Sequence, residues 1–359
     1  MTDEALAVAL LDWYRERARD LPWRRTSDPY AIWVSEIMLQ QTRVETVIPY
    51  YERFIARWPG VAQLAAAELD DVLEAWSGLG YYRRARQLHE AAGEVVARHG
   101  GELPRTAEEL VGLTGVGRYT AGAIASIAHG QATPVVDGNV IRVLCRLFGF
   151  EEDMRAAKGQ RRVWDRAERL VVDDAPGDFN QALMELGATV CTPRRPRCDA
   201  CPVAEPCVAR RQERTEELPL LSKKKPPTAQ SLVAVVVRHA DGGVLLAQRV
   251  RDGLFGGLWE PPMVAGEDLG RVRREMSDHG ISSRRHLTVV GRVQHVLSHR
   301  RFTIEVAAGH TGRRWSLPRK PPAPYDRLAW CSVDDVAVST LARKVLALAE
   351  EGSRQEALW

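Results

Sequence analysis

The chain lacks any long apolar run, and its positive and negative charges nearly cancel. Its apolar stretches are short, such as residues 232–237, whereas a membrane helix needs about 20 residues, so we expect no membrane association. The 50 Lys and Arg only slightly exceed the 47 Asp and Glu, and any nucleic-acid-binding face must therefore be a local basic patch. No basic start precedes an apolar core at the N-terminus, which argues against a secretory signal and favours a cytoplasmic location.

Cysteine is scarce, with six in 359 residues, and four of the six lie close together. In a reducing cytosol, clustered cysteines are metal or cluster ligands before they are disulfides. The spacing C-x6-C-x2-C-x5-C is formed by Cys191, Cys198, Cys201 and Cys207. A structural zinc site usually has two close pairs of ligands and only one is present here, so the spacing favours a four-iron cluster and leaves zinc as the alternative. Cys145 and Cys331 have no such neighbours and are expected to be small buried side chains.

The hydrophobic period changes once along the chain. Residues 1–215 carry apolar residues at three- and four-residue spacing, which predicts helices. Residues 216–230 include three lysines followed by two prolines and are predicted to be a linker. Beyond it, a helix is predicted at 268–279, and short alternating β-branched segments predict strands at 232–237, 244–248, 289–296 and 302–306. We therefore expect an all-α N-terminal domain and a smaller α+β C-terminal domain.

Two glycines separate two predicted helices within L-T-G-V-G-R-Y-T-A at 113–121. Gly115 and Gly117 allow a tight turn, and the amides at the start of the following helix can stabilise an anion. An ordinary helix–helix turn could contain the same glycines, so this stretch by itself leaves both interpretations open.

Two carboxylates stand out by their surroundings. Asp137 precedes an apolar helix, where aspartate is a common N-cap. Glu36 is flanked by Val34, Ile37 and Met38, which predicts a partly buried position in place of a solvated helix face. Burial raises the pKa of a carboxyl, so Glu36 is a candidate general acid, whereas its local sequence alone favours the N-cap role for Asp137.

Four motifs together resemble the MutY family of iron–sulfur DNA glycosylases. They are S-E-I-M-L-Q-Q-T-R-V at 35–44, the glycine hairpin at 113–121, V-D-G-N-V-I-R-V at 136–143 and the cysteine spacing at 191–207. The resemblance implies an all-α helix-hairpin-helix glycosylase domain at 1–215, which contains the loop 191–207 for one [4Fe-4S] cluster. It further implies that 216–230 is a linker and that 231–359 is a Nudix-like domain that recognises the lesion.

The implied reaction is hydrolysis of the N-glycosidic bond of an adenine mispaired with 8-oxoguanine or guanine, after the adenine has flipped out of the duplex. Glu36 is then the general acid, and Asp137 stabilises the oxocarbenium ion or a covalent intermediate. Tyr119 and Asn139 support the sugar and Asp137. Relatives that also cut the DNA backbone have a lysine where this chain has Tyr119, and a lysine amine can form a Schiff base whereas a tyrosine cannot. The resemblance therefore implies a monofunctional hydrolase.

The resemblance also implies contacts with duplex DNA. The expected contacts are Gln41, Thr42, Leu79, Tyr81, Gly115, Val116, Gly117, Ser298 and His299. An adenine pocket would include Trp23, Arg24 and Glu185, although Leu-Pro-Trp at 21–23 could simply seal a helix junction. Tyr82 is expected to pack in the core. We expect a monomer that binds DNA carrying an adenine mispair, associated with the nucleoid in a bacterium, and the sequence does not identify its protein partners.

The C-terminal domain departs from the Nudix pattern where a hydrolase holds magnesium. The pattern requires R-E-U-x-E-E-x-G-U, with U apolar, whereas residues 274–281 read R-E-M-S-D-H-G-I. Too few oxygen ligands remain for the metal. The domain is therefore expected to read the oxidised guanine through the V-L-S-H loop at 296–299, although Ser298 and His299 could also be ordinary turn residues.

Three other functions remain as alternatives. An endonuclease III-like glycosylase and lyase is disfavoured by Glu36, by Tyr119 and by the second domain. A non-catalytic DNA-binding module is disfavoured because both Glu36 and Asp137 are present. A Nudix phosphohydrolase is disfavoured by the changed sequence at 274–281.

Overall fold

The computed structural model describes residues 1–223, 225–266, 270, 287–297, 299–312, 317–318, 321 and 323–356. The chain divides into two compact units. One comprises Met1–Ala66 and Gln87–Lys223, and the other comprises Ala67–Arg86 and Lys224–Trp359. A segment from within the helical part of the sequence thus belongs to the C-terminal unit. Among the described helices, none combines the length and apolar character that crossing a membrane requires.

The first unit is built from helices, which confirms the predicted all-α class. Its helices are α1 (Asp3–Arg17), α2 (Pro29–Leu39), α3 (Val44–Arg57), α4 (Val61–Ala65), α7 (Ala107–Leu110), α8 (Arg118–His129), α9 (Gly138–Phe148), α10 (Ala157–Leu170), α11 (Pro176–Thr189) and α12 (Val208–Arg211). Helix α5 (Leu69–Ala75) lies in the second unit, and α6 (Arg83–His99) begins there and continues into the first.

Local sequence explains where the helices that carry the site begin. Helix α2 starts at Pro29, a favourable first residue because its missing N–H would have no partner there. The Asp28 side chain accepts a hydrogen bond from the Tyr30 amide at 3.1 Å. Asp137 caps α9 in the same way, so its predicted N-cap position is confirmed.

Helices α1, α9, α10 and α11 share one apolar core. Leu10, Leu144, Val163 and Phe179 are each fully buried in it, and burying each such side chain contributes about 1.5–3 kcal/mol. Helix α11 approaches the start of α9 closely through Gly187, because a Cβ at this position would lie 2.6 Å from the Asn139 Cβ. This close approach positions the residues at the N-terminus of α9.

The second unit contains a mixed sheet, which confirms the predicted α+β class. Its strands are β1 (Thr228–His239), β2 (Val244–Arg249), β3 (Trp259–Glu260), β4 (Met263–Ala265), β5 (Thr288–Val296), β6 (Arg300–Thr311) and β7 (Tyr325–Cys331). The order is β3-β2-β1-β6-β5, with β4 also beside β1 and β7 beside β2. Strands β1 and β6 are parallel over their full length, Thr228 facing Arg300 and His239 facing Thr311.

Helix α13 (Thr340–Glu356) covers the sheet. It buries Leu341 and Val345 in a core shared with Val236 and Ile304. All four predicted strands are confirmed. The predicted helix at 268–279 and the altered Nudix sequence at 274–281 lie outside the described residues, apart from Gly270.

Candidate active site

A cavity of about 670 Å³ opens in the first unit. Helices α2, α8, α9 and α11 and the turn at Pro22–Arg24 contribute its walls. Many of the predicted site residues line it, namely Trp23, Arg24, Glu36, Gln41, Thr42, Gly115, Gly117, Tyr119, Asp137, Asn139 and Glu185. The fold therefore gathers residues from five separate stretches of the sequence around one space.

Glu36 lies in the last turn of α2 and is only 5% exposed. The Tyr119 hydroxyl donates a 2.7 Å hydrogen bond to its Oε2. Burial raises the pKa of the Glu36 carboxyl, the Tyr119 hydrogen bond and Arg24 oppose this change and the charge of Asp137 adds to it, so that the pKa is about 7. Glu36 is therefore divided between its protonated and ionised forms near neutral pH.

Tyr119 projects from the first turn of α8, directly after the glycine hairpin. Burial and the Glu36 carboxylate raise its pKa well above the ordinary value, so the phenol stays neutral and acts as a hydrogen-bond donor. Its hydroxyl also lies 3.3 Å from the Met184 sulfur. The Tyr119 phenol is thus held against the buried carboxyl of Glu36.

Asp137 uses both carboxylate oxygens in the N-cap of α9. Its Oδ1 accepts from the amides of Asn139 and Val140 at 2.9 and 2.7 Å, and its Oδ2 accepts from Asn139 Nδ2 at 2.8 Å. Burial raises the pKa of Asp137, but these three hydrogen bonds oppose the change by stabilising the ionised form. Asp137 is therefore both the N-cap of α9 and part of the cavity wall.

Asn139 is held in turn by Arg142, a residue that the sequence motifs did not single out. Arg142 Nη2 donates to Asn139 Oδ1 and to the Gly187 carbonyl, both at 2.8 Å, and its Nε donates to the Cys191 carbonyl at 2.7 Å. One guanidinium thus joins the start of α9 to α11 and to the cysteine loop. Its position three residues after Asn139, on the same face of the helix, was the available signal.

Glu185 is 1% exposed and is paired with two arginines. Its carboxylate accepts from Arg19 at 2.7 and 2.9 Å and from Arg24 at 2.9 Å. Burial alone would raise the pKa of Glu185, but these arginines outweigh it and hold the pKa below the ordinary value. Glu185 is therefore a fixed anion that orients Arg24, and Arg19 is a partner that the sequence did not reveal.

Trp23 is 6% exposed and packs edge-on against Tyr51, with ring centroids 5.4 Å apart. This packing agrees with the alternative that Leu-Pro-Trp seals a helix junction, while Trp23 still borders the cavity.

The glycine hairpin has the conformation that its sequence predicts. Gly115 has a φ of +76°, and a Cβ there would lie 2.6 Å from the Gln87 Cβ. Val116 is 5% exposed, so its side chain packs in the protein and only its backbone is available to a ligand. Gly117 is the N-cap of α8.

Four of the expected DNA contacts, Leu79, Tyr81, Ser298 and His299, belong to the second unit. Tyr81 is half exposed and has a left-handed φ of +48°, whereas Leu79 is only 5% exposed. Tyr82 is buried, as predicted. His299 is exposed in the turn between β5 and β6, and Ser298 lies outside the described residues.

The four clustered cysteines border one small cavity of about 30 Å³ and form no disulfide. Burial, with the charges of the neighbouring cysteines, raises the pKa of the Cys201 thiol to about 12. The fully buried Arg146 donates to the Cys191 sulfur at 3.4 Å and to the carbonyls of Thr192 and Pro193 at 2.7 and 3.0 Å. Four thiols crowded around one space, with a cation beside them, suit a bound metal cluster whose ligands are thiolates.

Two stretches of the chain match known protein families. Residues 34–169 match the family model of the HhH-GPD superfamily base excision DNA repair protein, and residues 233–350 match that of the NUDIX domain. The Homo sapiens protein named adenine DNA glycosylase is 40% identical, over 95% of this chain and 73% of its own length.

Two solved structures share the fold of the helical unit. A thermostable thymine-DNA glycosylase matches with a TM-score of 0.54 and 30% identity, over 58% of this chain and 97% of that one. An endonuclease III–DNA complex matches with a TM-score of 0.50 and 20% identity, over 59% of this chain and 98% of the other. Taken with the 40% identity to the human protein, these findings show that the chain belongs to the adenine DNA glycosylase family.

Proposed function

We propose that this chain hydrolyses the N-glycosidic bond of adenine mispaired with 8-oxoguanine or guanine in duplex DNA. The observation that carries the proposal is the buried Glu36, whose pKa is about 7, in one cavity with Asp137 and Tyr119. A family relationship alone would leave the chemistry open. Here Glu36 supplies the acid, and Asp137, whose ionised form accepts three hydrogen bonds, supplies the anion.

The first chemical requirement is a proton for the leaving base. Adenine is a poor leaving group as an anion, and a general acid contributes about 10²- to 10⁴-fold when its pKa lies near the working pH. Glu36 meets this condition because burial holds part of it protonated. The Tyr119 hydroxyl fixes the carboxyl through Oε2, which leaves the other oxygen to face the base.

The second requirement is stabilisation of the positive charge that develops on the deoxyribose. Asp137 provides a carboxylate whose orientation is fixed by three hydrogen bonds, and such preorganised charge costs no reorganisation during the reaction. It acts on the oxocarbenium ion directly or captures it covalently before water arrives. Asn139, held by Arg142, keeps Asp137 in place.

The product is an intact abasic site. No lysine is among the residues that line the cavity, and Tyr119 cannot form a Schiff base. Water therefore completes the reaction, and strand cleavage is left to other enzymes.

One [4Fe-4S] cluster held by Cys191, Cys198, Cys201 and Cys207 is part of the proposal. Among the described residues, no group of three or more His, Cys, Asp or Glu side chains is arranged to hold a metal ion, so the proposal depends on the cysteine spacing and on the shared cavity. The four cysteines line one small cavity, and their spacing has only one close pair, which favours a polynuclear cluster over a lone zinc ion. The cluster would fix the loop 191–207, whose Cys191 carbonyl accepts from Arg142. Anaerobic preparation followed by iron and sulfide analysis, with absorbance near ~400 nm, tests this; zinc without iron would contradict it.

DNA binding is assigned to both parts of the chain. The hairpin amides around Val116 would hold a phosphate, as helix N-termini do, with Gln41 and Thr42 at the cavity. Tyr81 and Leu79 would meet the strand that carries the lesion, and the His299 turn would read the oxidised guanine together with Ser298. The base pocket comprises Trp23, Arg24 and Glu185. We assign 1–215 to the glycosylase, 216–230 to the linker and 231–359 to the lesion reader, in a protein that acts as a monomer on DNA in the cytoplasm.

The test is an excision assay under single-turnover conditions. Duplexes carry adenine opposite 8-oxoguanine, guanine or thymine, and a further duplex carries thymine opposite guanine, because a structural relative is a thymine-DNA glycosylase. Abasic sites are revealed by alkali. The proposal predicts product from the first two duplexes, fastest with 8-oxoguanine. Product only from the thymine–guanine duplex would refute it.

A further inference from the structure

The segment Ala67–Arg86 lies within the helical part of the sequence but forms a compact unit with the C-terminal sheet. It contains α5, the loop from Trp76 to Tyr82 and the start of α6. Tyr81, the exposed aromatic residue of this loop, is one of the expected DNA contacts, and a glycine-flanked aromatic side chain of this kind suits insertion between base pairs. The loop that would open the duplex is thus attached to the half of the chain that carries no part of the reaction chemistry.

Within the part of the chain that the structure describes, three polar contacts contribute to this attachment. The buried Tyr82 hydroxyl donates to the Val338 carbonyl at 3.1 Å and accepts from the Gly78 amide at 3.3 Å. Arg86 Nη1 donates to the Gly256 carbonyl. Arg343 of α13 donates from Nη2 to the Ser77 hydroxyl at 3.2 Å. The contacts reach three separate places in the C-terminal unit, so they fix the orientation of the loop as well as its position.

Arg84 organises the inside of the loop. It is 8% exposed and donates to the Gly80 carbonyl at 3.1 Å, which also accepts from Trp76 Nε1 at 3.2 Å. Its guanidinium lies 5.4 Å from the Trp76 ring centroid and 5.5 Å from that of Tyr81. The exposed Tyr81 ring therefore packs against the buried guanidinium of Arg84.

The backbone at the loop tip needs such support. Gly80 and Tyr81 both have positive φ values, +72° and +48°. A left-handed conformation is costly for a tyrosine and persists only where the surroundings impose it. If the contacts to the C-terminal unit were lost, the loop would relax and Tyr81 would leave its present direction.

We propose that the C-terminal unit positions Tyr81 for insertion into DNA through Tyr82, Arg86 and Arg343, and so controls how readily the adenine is everted. This inference rests on the proposed function, because it assigns a role in the same reaction. It makes Tyr82 and Arg86 positioning residues, distinct from the residues that would touch the lesion. The C-terminal unit would then contribute to opening the duplex as well as to reading the opposite base.

The decisive variants remove one hydrogen bond and keep the shape. Tyr82→Phe loses the bond to Val338, and Arg86→Met loses the bond to Gly256, while Arg86→Lys retains a donor. Tyr30→Phe is the matched control, because the Tyr30 hydroxyl also donates to a buried carbonyl, that of Trp58, at 2.9 Å. Losing one such bond shifts a local equilibrium by about fivefold, which corresponds to about 1 kcal/mol.

Two measurements are made on the full chain. One is the single-turnover rate of adenine excision opposite 8-oxoguanine. The other is the fluorescence of 2-aminopurine placed beside the mispair, which rises when the stack is opened. Melting temperatures show whether Tyr82→Phe and Tyr30→Phe lose comparable stability.

We expect Tyr82→Phe and Arg86→Met to lower both signals about two- to tenfold, in the direction of Tyr81→Ala, with partial recovery in Arg86→Lys and no effect in Tyr30→Phe. Anchor variants that behave like Tyr30→Phe, while Tyr81→Ala loses the fluorescence rise, would overturn the inference and leave the proposed function intact. If the unmutated chain excises no adenine, the proposed function fails, and the fluorescence still tests whether the anchors hold Tyr81.

Discussion

Replacing Glu36 by glutamine should change activity and stability in opposite directions. Glutamine keeps the shape of the side chain, and its carbonyl oxygen can still accept the Tyr119 hydrogen bond of 2.7 Å. It has no proton to give, so excision should fall by about 10²- to 10⁴-fold. In the unmutated enzyme the rate should decline as the pH rises through about 7, because Glu36 then loses its proton.

The stability effect follows from the same pKa. In the unfolded chain Glu36 has its ordinary pKa of 4.5, and in the folded chain its pKa is about 7. The folded state therefore holds the proton more tightly, and the enzyme loses stability as the pH rises from 4.5 to about 7. At about 1.4 kcal/mol for each tenfold change in proton affinity, the loss above pH 7 is about 3 kcal/mol. Glu36→Gln removes this cost and should be the more stable protein at pH 8.

The assay combines single-turnover excision from pH 5 to 9 with thermal unfolding at pH 5 and pH 8. The variant Glu52→Gln is the control, since Glu52 is exposed on α3 and its replacement should change neither quantity. The reasoning is refuted if Glu36→Gln excises adenine at a normal rate with an unchanged pH profile. It is also refuted if the stability difference between the two proteins is the same at pH 5 and pH 8, because Glu36 would then not be a buried acid.

Three other substitutions test the remaining parts of the site. Asp137→Asn should abolish excision and retain the fold and DNA binding, because asparagine is an equally good N-cap but lacks the charge; a normal single-turnover rate would remove Asp137 from the mechanism. Tyr119→Lys should gain an adduct with DNA that borohydride traps, since an amine then lies beside Glu36, and an equal yield from the unmutated enzyme would point to another amine. Glu185→Gln should lower the free energy of unfolding by about 3 kcal/mol or more near neutral pH, because Arg19 and Arg24 lose their buried partner. That loss should shrink as the pH falls below 4.5, where the unmutated carboxyl also becomes protonated, and an unchanged melting temperature at pH 7 would contradict it.

The sequence predicted the features of this protein that are determined by residues close together in the chain. The helical period, the strands after residue 230, the cap at Asp137 and the burial of Glu36 are all set by residues within a few positions. Each could be inferred because local periodicity reports which face of an element is buried. The motif resemblance added the roles of Glu36 and Asp137, which local physics could not supply.

The sequence did not predict the pairs that join distant positions. Glu36 and Tyr119 are 83 residues apart, and Glu185 and Arg19 are 166 residues apart. Nothing in the spacing of an arginine reveals which buried carboxylate it will meet, since many exposed arginines have the same local sequence. The attachment of Ala67–Arg86 to the C-terminal unit was missed for the same reason. Its α5 and α6 have ordinary helical periods.

The contact between Gly187 and Asn139 has a consequence for inherited variation. Position 187 has no room for a side chain. Even the methyl group of alanine would lie 2.6 Å from the Asn139 Cβ, so the size of the residue matters there more than its hydrophobicity, charge or helix propensity. Alanine would improve the intrinsic stability of α11 and still push the start of α9 away. A substitution that every propensity scale rates as favourable would thus move Asp137 from its place, and a harmful allele at this codon would look conservative by composition.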